Sequence, residues 1–131
     1  MYRDKKVTAM ITAAGQGSRM GLELAKQFIK IGPRGETILE STVKIFDDCP
    51  AVDEILITAN RDYLARTGEL CAPFRKVRGI VEGGRERQDS VRAGLRRTSD
   101  DGLILVHDAA RPFVTEAVIL RVLACAYESG A

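Results

Sequence analysis

Four short apolar runs, separated by amphipathic stretches, constrain this chain more than any other feature. Residues 7–12, 54–58, 79–81 and 103–106 each read as a strand. The last of them, Leu103-Ile104-Leu105-Val106, is apolar without alternation, the pattern of a strand covered on both faces. Between the runs the period changes. Leu39, Val43 and Phe46 share one helix face, and Pro50 stands just past its end. Further helices are expected over about 61–70, over 88–97 with Val91 one turn before Leu95, and over 116–128. In the last, Val118 lies over Val122 and Ile119 over Leu123. Strands alternating with helices predict an α/β fold with a mostly parallel sheet. A final helix would normally lead on to another strand, so the sequence reads as stopping in mid-fold with one sheet edge uncovered.

The chain has 131 residues, which suits one domain. Its net charge of +2, from 20 basic and 18 acidic residues, is too balanced to mark a nucleic-acid binder. Arg75, Lys76 and Arg78 cluster, as do Arg92, Arg96 and Arg97, but no aromatics interleave for base stacking, and solvated charge is the better reading. No apolar run is long enough to span a bilayer, and the amino terminus lacks the pattern of a secretory signal. A soluble, cytoplasmic protein is the expectation. The three cysteines, Cys49, Cys71 and Cys125, are widely spaced and form no Cys-x-x-Cys pair, so they read as reduced thiols. Cys125, on an apolar helix stretch, is expected in the core.

Ligands of open α/β sheets gather at the carboxyl ends of the strands. After the first strand come Ala13-Ala14-Gly15-Gln16-Gly17-Ser18-Arg19-Met20-Gly21 and then Lys26. Glycines at 15 and 17 let backbone N–H groups approach phosphate oxygens, and Arg19 and Lys26 add the positive charge phosphates need. Gly-x-Gly alone is a weak signal. Met20 breaks the dinucleotide fingerprint, and no Gly-Lys-Ser/Thr follows to make a Walker loop. A plain strand-to-loop turn explains this segment about equally well. After the third strand comes Gly83-Gly84, then Asp89 and Ser90. Either residue reads as a helix cap, or the glycines and Ser90 as lining a base or sugar. After the fourth come His107, Asp108 and Arg111. Asp108 is placed to hold magnesium, which takes hard oxygen ligands and often combines one carboxylate with substrate phosphates. A strand-end turn residue is the competing reading. Arg111 could hold a second phosphate. His107 is the only histidine and has no second histidine or cysteine near it for a metal site, which favours a structural, hydrogen-bonded role. The convergence of all three segments on one sheet edge is stronger than any one of them.

The motifs Ala13-Ala14-Gly15-x-Gly17-x-Arg19-Met20-Gly21, Lys26-Gln27-Phe28 and Ile38-Leu39-Glu40 resemble the opening of the 4-diphosphocytidyl-2-C-methyl-D-erythritol synthases. Gly83-Gly84-x-x-Arg87-Gln88-Asp89-Ser90-Val91 and Val106-His107-Asp108-Ala109-Ala110-Arg111-Pro112 are similar to the next two motifs of that family, in the same order. The resemblance implies a Rossmann-like, three-layer nucleotidyltransferase fold, with residues 1–131 as its CTP-binding portion. It implies transfer of the cytidylyl group of CTP to 2-C-methyl-D-erythritol 4-phosphate, with release of pyrophosphate, in non-mevalonate isoprenoid synthesis. It assigns Arg19 and Lys26 as the catalytic pair, Asp108 as the magnesium and substrate carboxylate, and Arg111 to the sugar phosphate. Ala13, Ala14, Gly15, Gly17, Gly83, Gly84 and Ser90 fall on its nucleotide-binding positions. The family often has proline where Ala25 stands. Its chains are much longer, and the further part carries another arginine and lysine for the substrate and a β-arm that pairs two subunits, so a homodimer is implied for the intact enzyme. Ribitol-5-phosphate cytidylyltransferases are the nearest rival, although the motifs around Ser90 and Asp108 look more like the methylerythritol group. A non-catalytic nucleotide-binding module is a rival from another class.

Overall fold

The computed structural model describes residues 1–13, 26–83, 91–92, 95 and 102–129, and of Lys26 the backbone only. Its strands are β1 (Val7–Ala13), β2 (Glu54–Ala59), β3 (Val77–Glu82) and β4 (Leu103–Asp108). They form one sheet in the order β3-β2-β1-β4. Every pairing is parallel, as the alternation of strands and helices predicts. Ala9 sits beside Ile55 and Leu105, and Ile11 beside Ile57 and His107. Successive residues Ala9, Met10 and Ile11 of β1 are all fully buried, so both faces of this central strand are covered. β4 differs from expectation. Leu103 and Leu105 are buried, but Val106 is 39% exposed, and among the described residues β4 pairs with β1 alone. Gly102 admits β4 to its place. A Cβ there would lie 2.6 Å from the Lys6 carbonyl oxygen, which accepts the Leu103 N–H at 2.8 Å.

Helix α1 (Ile38–Asp47) starts at a capping box. The Glu40 N–H donates to Thr37 Oγ1 at 3.1 Å and the Thr37 N–H to Glu40 Oε1 at 2.9 Å, which satisfies two otherwise orphaned donors. Its Leu39, Val43 and Phe46 are buried, the face that the spacing predicts. Each such side chain contributes roughly 1.5–3 kcal/mol on burial. The helix expected over 61–70 is a 3-10 turn, Arg61–Tyr63, that runs into α2 (Leu64–Cys71). The Asn60 side chain accepts the Asp62 N–H and its carbonyl the Tyr63 N–H, tightening the first turn. Residues 91, 92 and 95 are helical, in accord with the third pattern, whose remaining positions lie outside the described residues.

Helix α3 (Glu116–Ser129) buries Ile119 and Leu123, whereas Val118 and Val122 are exposed. Cys125 is exposed too, contrary to the expectation of a core thiol. It lies two residues past Leu123, about 200° around the helix from the face that packs. Cys49 and Cys71 are buried. Burial, with the Glu40 carboxylate nearby, pushes the Cys71 thiol up to about 12, so it stays protonated.

Candidate functional site

Parallel pairing brings the carboxyl ends of all four strands to one edge. Thr12 is level with Asp108, Ala13 with Ala59, and Ala59 with Glu82. Of the residues singled out from sequence, Ala13, Gly83, Asp108 and the Lys26 backbone are described and positioned by this edge or tied to it. Ala14, Gly15, Gly17, Arg19, Gly84, Asp89 and Ser90, and the Lys26 side chain, lie outside the described residues.

Two successive carbonyls at the end of β1 hold the neighbouring segments. The Thr12 carbonyl accepts the Ala109 N–H at 3.1 Å. The Ala13 carbonyl accepts Gln27 Nε2 at 2.6 Å. Lys26 opens the 3-10 turn Lys26–Phe28, and both Gln27 and Phe28 in it are buried. The Phe28 ring lies 5.1 Å from that of Tyr63, and the Arg66 guanidinium sits 4.4 Å from the Phe28 ring centre. The Ile29 carbonyl then accepts the Ile38 N–H at 2.8 Å, joining the turn to the start of α1. On the far side of the sheet Gly83 donates its N–H to the Ala59 carbonyl at 2.8 Å, and Glu82 beside it pairs with Arg61 at 2.9 Å.

The segment after β4 is a closed turn. Asp108 Oδ1 accepts the Ala110 N–H at 2.8 Å, and the Asp108 carbonyl accepts the Arg111 N–H at 3.1 Å. The Ala109 carbonyl is held by Thr42 Oγ1 of α1 at 3.0 Å. His107 Nε2 lies 2.8 Å from the Arg111 carbonyl oxygen, the hydrogen-bonded role expected of it. Asp108 therefore fits the turn reading through Oδ1 and still presents its other oxygen at the strand end. Arg111 is exposed.

Among the described residues no group of three or more His, Cys, Asp or Glu could cage a metal. A single hard carboxylate oxygen fits magnesium, which keeps most of its waters and takes further ligands from substrate phosphates. It does not fit zinc, which wants several nitrogen or sulfur ligands.

Gln27 stands within a motif that assigns it no task, and neither Thr12 nor Thr42 carries any local signal of a role. A buried amide has no periodic signature. The only available hint was a polar residue between a lysine that should face phosphate and a phenylalanine that should be core.

No described helix is long and apolar enough to cross a membrane. The family model for 2-C-methyl-D-erythritol 4-phosphate cytidylyltransferase matches residues 7–131. The enzyme of that name from Halalkalibacterium halodurans is 46% identical over 114 residues, covering 86% of this chain and 49% of that protein. The one from Symbiobacterium thermophilum is 47% identical over 121 residues, covering 92% and 50%. The crystal structure of 4-diphosphocytidyl-2C-methyl-D-erythritol synthase from Anaerococcus prevotii superposes with a TM-score of 0.76 at 29% identity, covering 92% of this chain and 50% of that one. The Francisella tularensis 2-C-methyl-D-erythritol 4-phosphate cytidylyltransferase gives 0.74 at 28%, covering 94% and 52%. The chain thus spans about half the length of the relatives it matches. With the family model matching residues 7–131 and the solved structures of that name superposing at TM-scores of 0.76 and 0.74, the chain belongs to the 2-C-methyl-D-erythritol 4-phosphate cytidylyltransferase family.

Proposed function

We propose that this sheet edge carries the CTP site of an enzyme that transfers the cytidylyl group to 2-C-methyl-D-erythritol 4-phosphate. The phosphate oxygen of the sugar alcohol attacks the α-phosphorus of CTP, the bond to the β-phosphate breaks, and pyrophosphate leaves. The observation that supports this best is the meeting of Ala13, Gly83 and Asp108 at one end of a parallel sheet, with Lys26 tied to the same end through Gln27.

The chemistry needs no covalent intermediate. Charge accumulates on the transferring and leaving phosphates, so fixed positive groups and close positioning lower the barrier. Arg19 and Lys26 take that role. Ala13, Ala14, Gly15 and Gly17 receive the triphosphate along the backbone, and Gly83, Gly84 and Ser90 line the cytidine. Arg111 binds the sugar phosphate. Asp108 would hold magnesium against the triphosphate; when bound, the ion neutralises phosphate charge. In this reading the protein works in the cytoplasm as a homodimer and binds neither nucleic acid nor membrane.

The test is pyrophosphate release by the polypeptide as its source organism makes it. Release is expected with CTP, magnesium and 2-C-methyl-D-erythritol 4-phosphate, and much less with ribitol 5-phosphate or with UTP. CTP binding without any release would point to a non-catalytic module and sink the proposal.

A further inference from the structure

We infer that Gln27 is a positioning residue for Lys26, an inference that rests on the catalytic role proposed for that lysine. Gln27 is 3% exposed, and the carbonyl it holds belongs to Ala13, which is 2% exposed. A buried amide is costly unless it is hydrogen-bonded. Here Nε2 donates to the Ala13 carbonyl oxygen at 2.6 Å across a separation of 14 positions. The bond ties the last residue of β1 to the residue that follows Lys26.

The two residues after Gln27 are anchored as well. Phe28 contacts both Tyr63 and Arg66, and Ile29 is bonded to the first residue of α1. The Lys26 backbone is therefore referenced to the strand end on one side and to two helical segments on the other. Gln27 is the only one of these contacts that reaches β1 directly. Fixing a charged group in advance is what allows it to act on transition-state charge without reorganisation. Without the Gln27 bond the turn remains packed on α1 and α2, but its distance from the strand end is no longer set. The expected loss is in rate more than in nucleotide binding.

The experiment uses the polypeptide as its source makes it and measures kcat, KM for CTP and the thermal midpoint. Gln27→Met keeps the length and removes the donor. It should lower kcat by about tenfold or more while KM changes by less than about threefold. In a Lys26→Ala background the same substitution should cost almost nothing more, because its effect passes through Lys26. A merely structural role would give independent, multiplicative losses. Gln27→Glu supplies a second measure should Gln27→Met fold poorly. Only its protonated carboxyl can donate to the Ala13 carbonyl, so its kcat relative to wild type should rise from about pH 8 toward about pH 6. Unchanged kcat in Gln27→Met, multiplicative losses with Lys26→Ala, or a flat pH ratio each overturn the inference while leaving the proposed reaction intact. An inactive wild type, or a silent Lys26→Ala, overturns the reaction and the inference together.

Discussion

His107 and Arg111 are joined across the turn that follows β4: the imidazole Nε2 lies 2.8 Å from the Arg111 carbonyl oxygen. The same ring packs at 5.2 Å against Phe46 of α1. One side chain thus fixes the turn that carries Asp108 and Arg111 and seats it on a core helix. A hydrogen bond of this kind contributes about 0.5–1.5 kcal/mol net. His107→Phe, which keeps the ring contact and loses the bond, should lower stability by about 1 kcal/mol. His107→Ala should lower it further. Urea unfolding of both variants checks the order, and an unchanged stability in His107→Phe would show that the bond contributes nothing.

Asp108→Asn isolates the charge of this residue from its structural task. An asparagine oxygen can still accept the Ala110 N–H, now made to Asp108 Oδ1 at 2.8 Å. The turn should survive while the proposed magnesium ligand weakens. Activity is expected to fall and to require more magnesium for half-saturation. Wild-type behaviour at limiting magnesium would remove Asp108 from the metal site.

Arg19→Ala and Lys26→Ala should each reduce kcat more than they weaken CTP binding. Loss of one donor aimed at transition-state charge typically costs a factor of roughly 10²–10³. Steady-state kinetics with CTP varied will separate the cases, since a change confined to KM means ground-state binding alone.

Much of this architecture was legible in the sequence, for identifiable reasons. The unbroken apolar runs gave the strands because β1 and β2 are covered on both faces, and Leu39, Val43 and Phe46 gave α1 because one stripe packs. The gathering of Ala13, Gly83 and Asp108 followed from parallel topology alone. The tertiary hydrogen bonds could not be read. Gln27 to Ala13, Thr42 to Ala109 and Asp53 to Val7 join residues 14, 67 and 46 positions apart, and no local pattern encodes such distances. Cys125 misled because α3 is apolar on more than one face while only the Ile119 and Leu123 side packs.

Asp53 makes stability sensitive to acid. Burial pushes its carboxyl up, but hydrogen bonds from the amino-terminal ammonium and the Val7 N–H, with the charges of that ammonium and Lys6, outweigh this and hold it below its ordinary 3.8. A carboxylate depressed in the folded state contributes stability that is fully present above its unfolded pKa and is lost as pH falls through the folded one. The urea midpoint should therefore drop as pH falls below about 4, and more steeply than in Asp53→Asn. Parallel pH profiles for the two proteins would contradict this.

The outer side of β4 and α3 should make the 131-residue chain self-associate. Val106, Val118 and Val122 are 39%, 42% and 48% exposed, and Phe113 is 89% exposed. β4 pairs with β1 alone among the described residues, and a strand edge without a partner offers backbone N–H and C=O groups. Exposed apolar side chains favour association with another chain. Sedimentation velocity on this chain should show an average mass that rises with concentration. Val118→Lys combined with Val122→Lys puts two like charges one turn apart on the exposed side of α3, away from the buried Ile119 and Leu123, so the fold should be retained while association weakens. Circular dichroism checks the first point and sedimentation the second. A wild-type chain that stays monomeric across the concentration range would show that these side chains do not drive association.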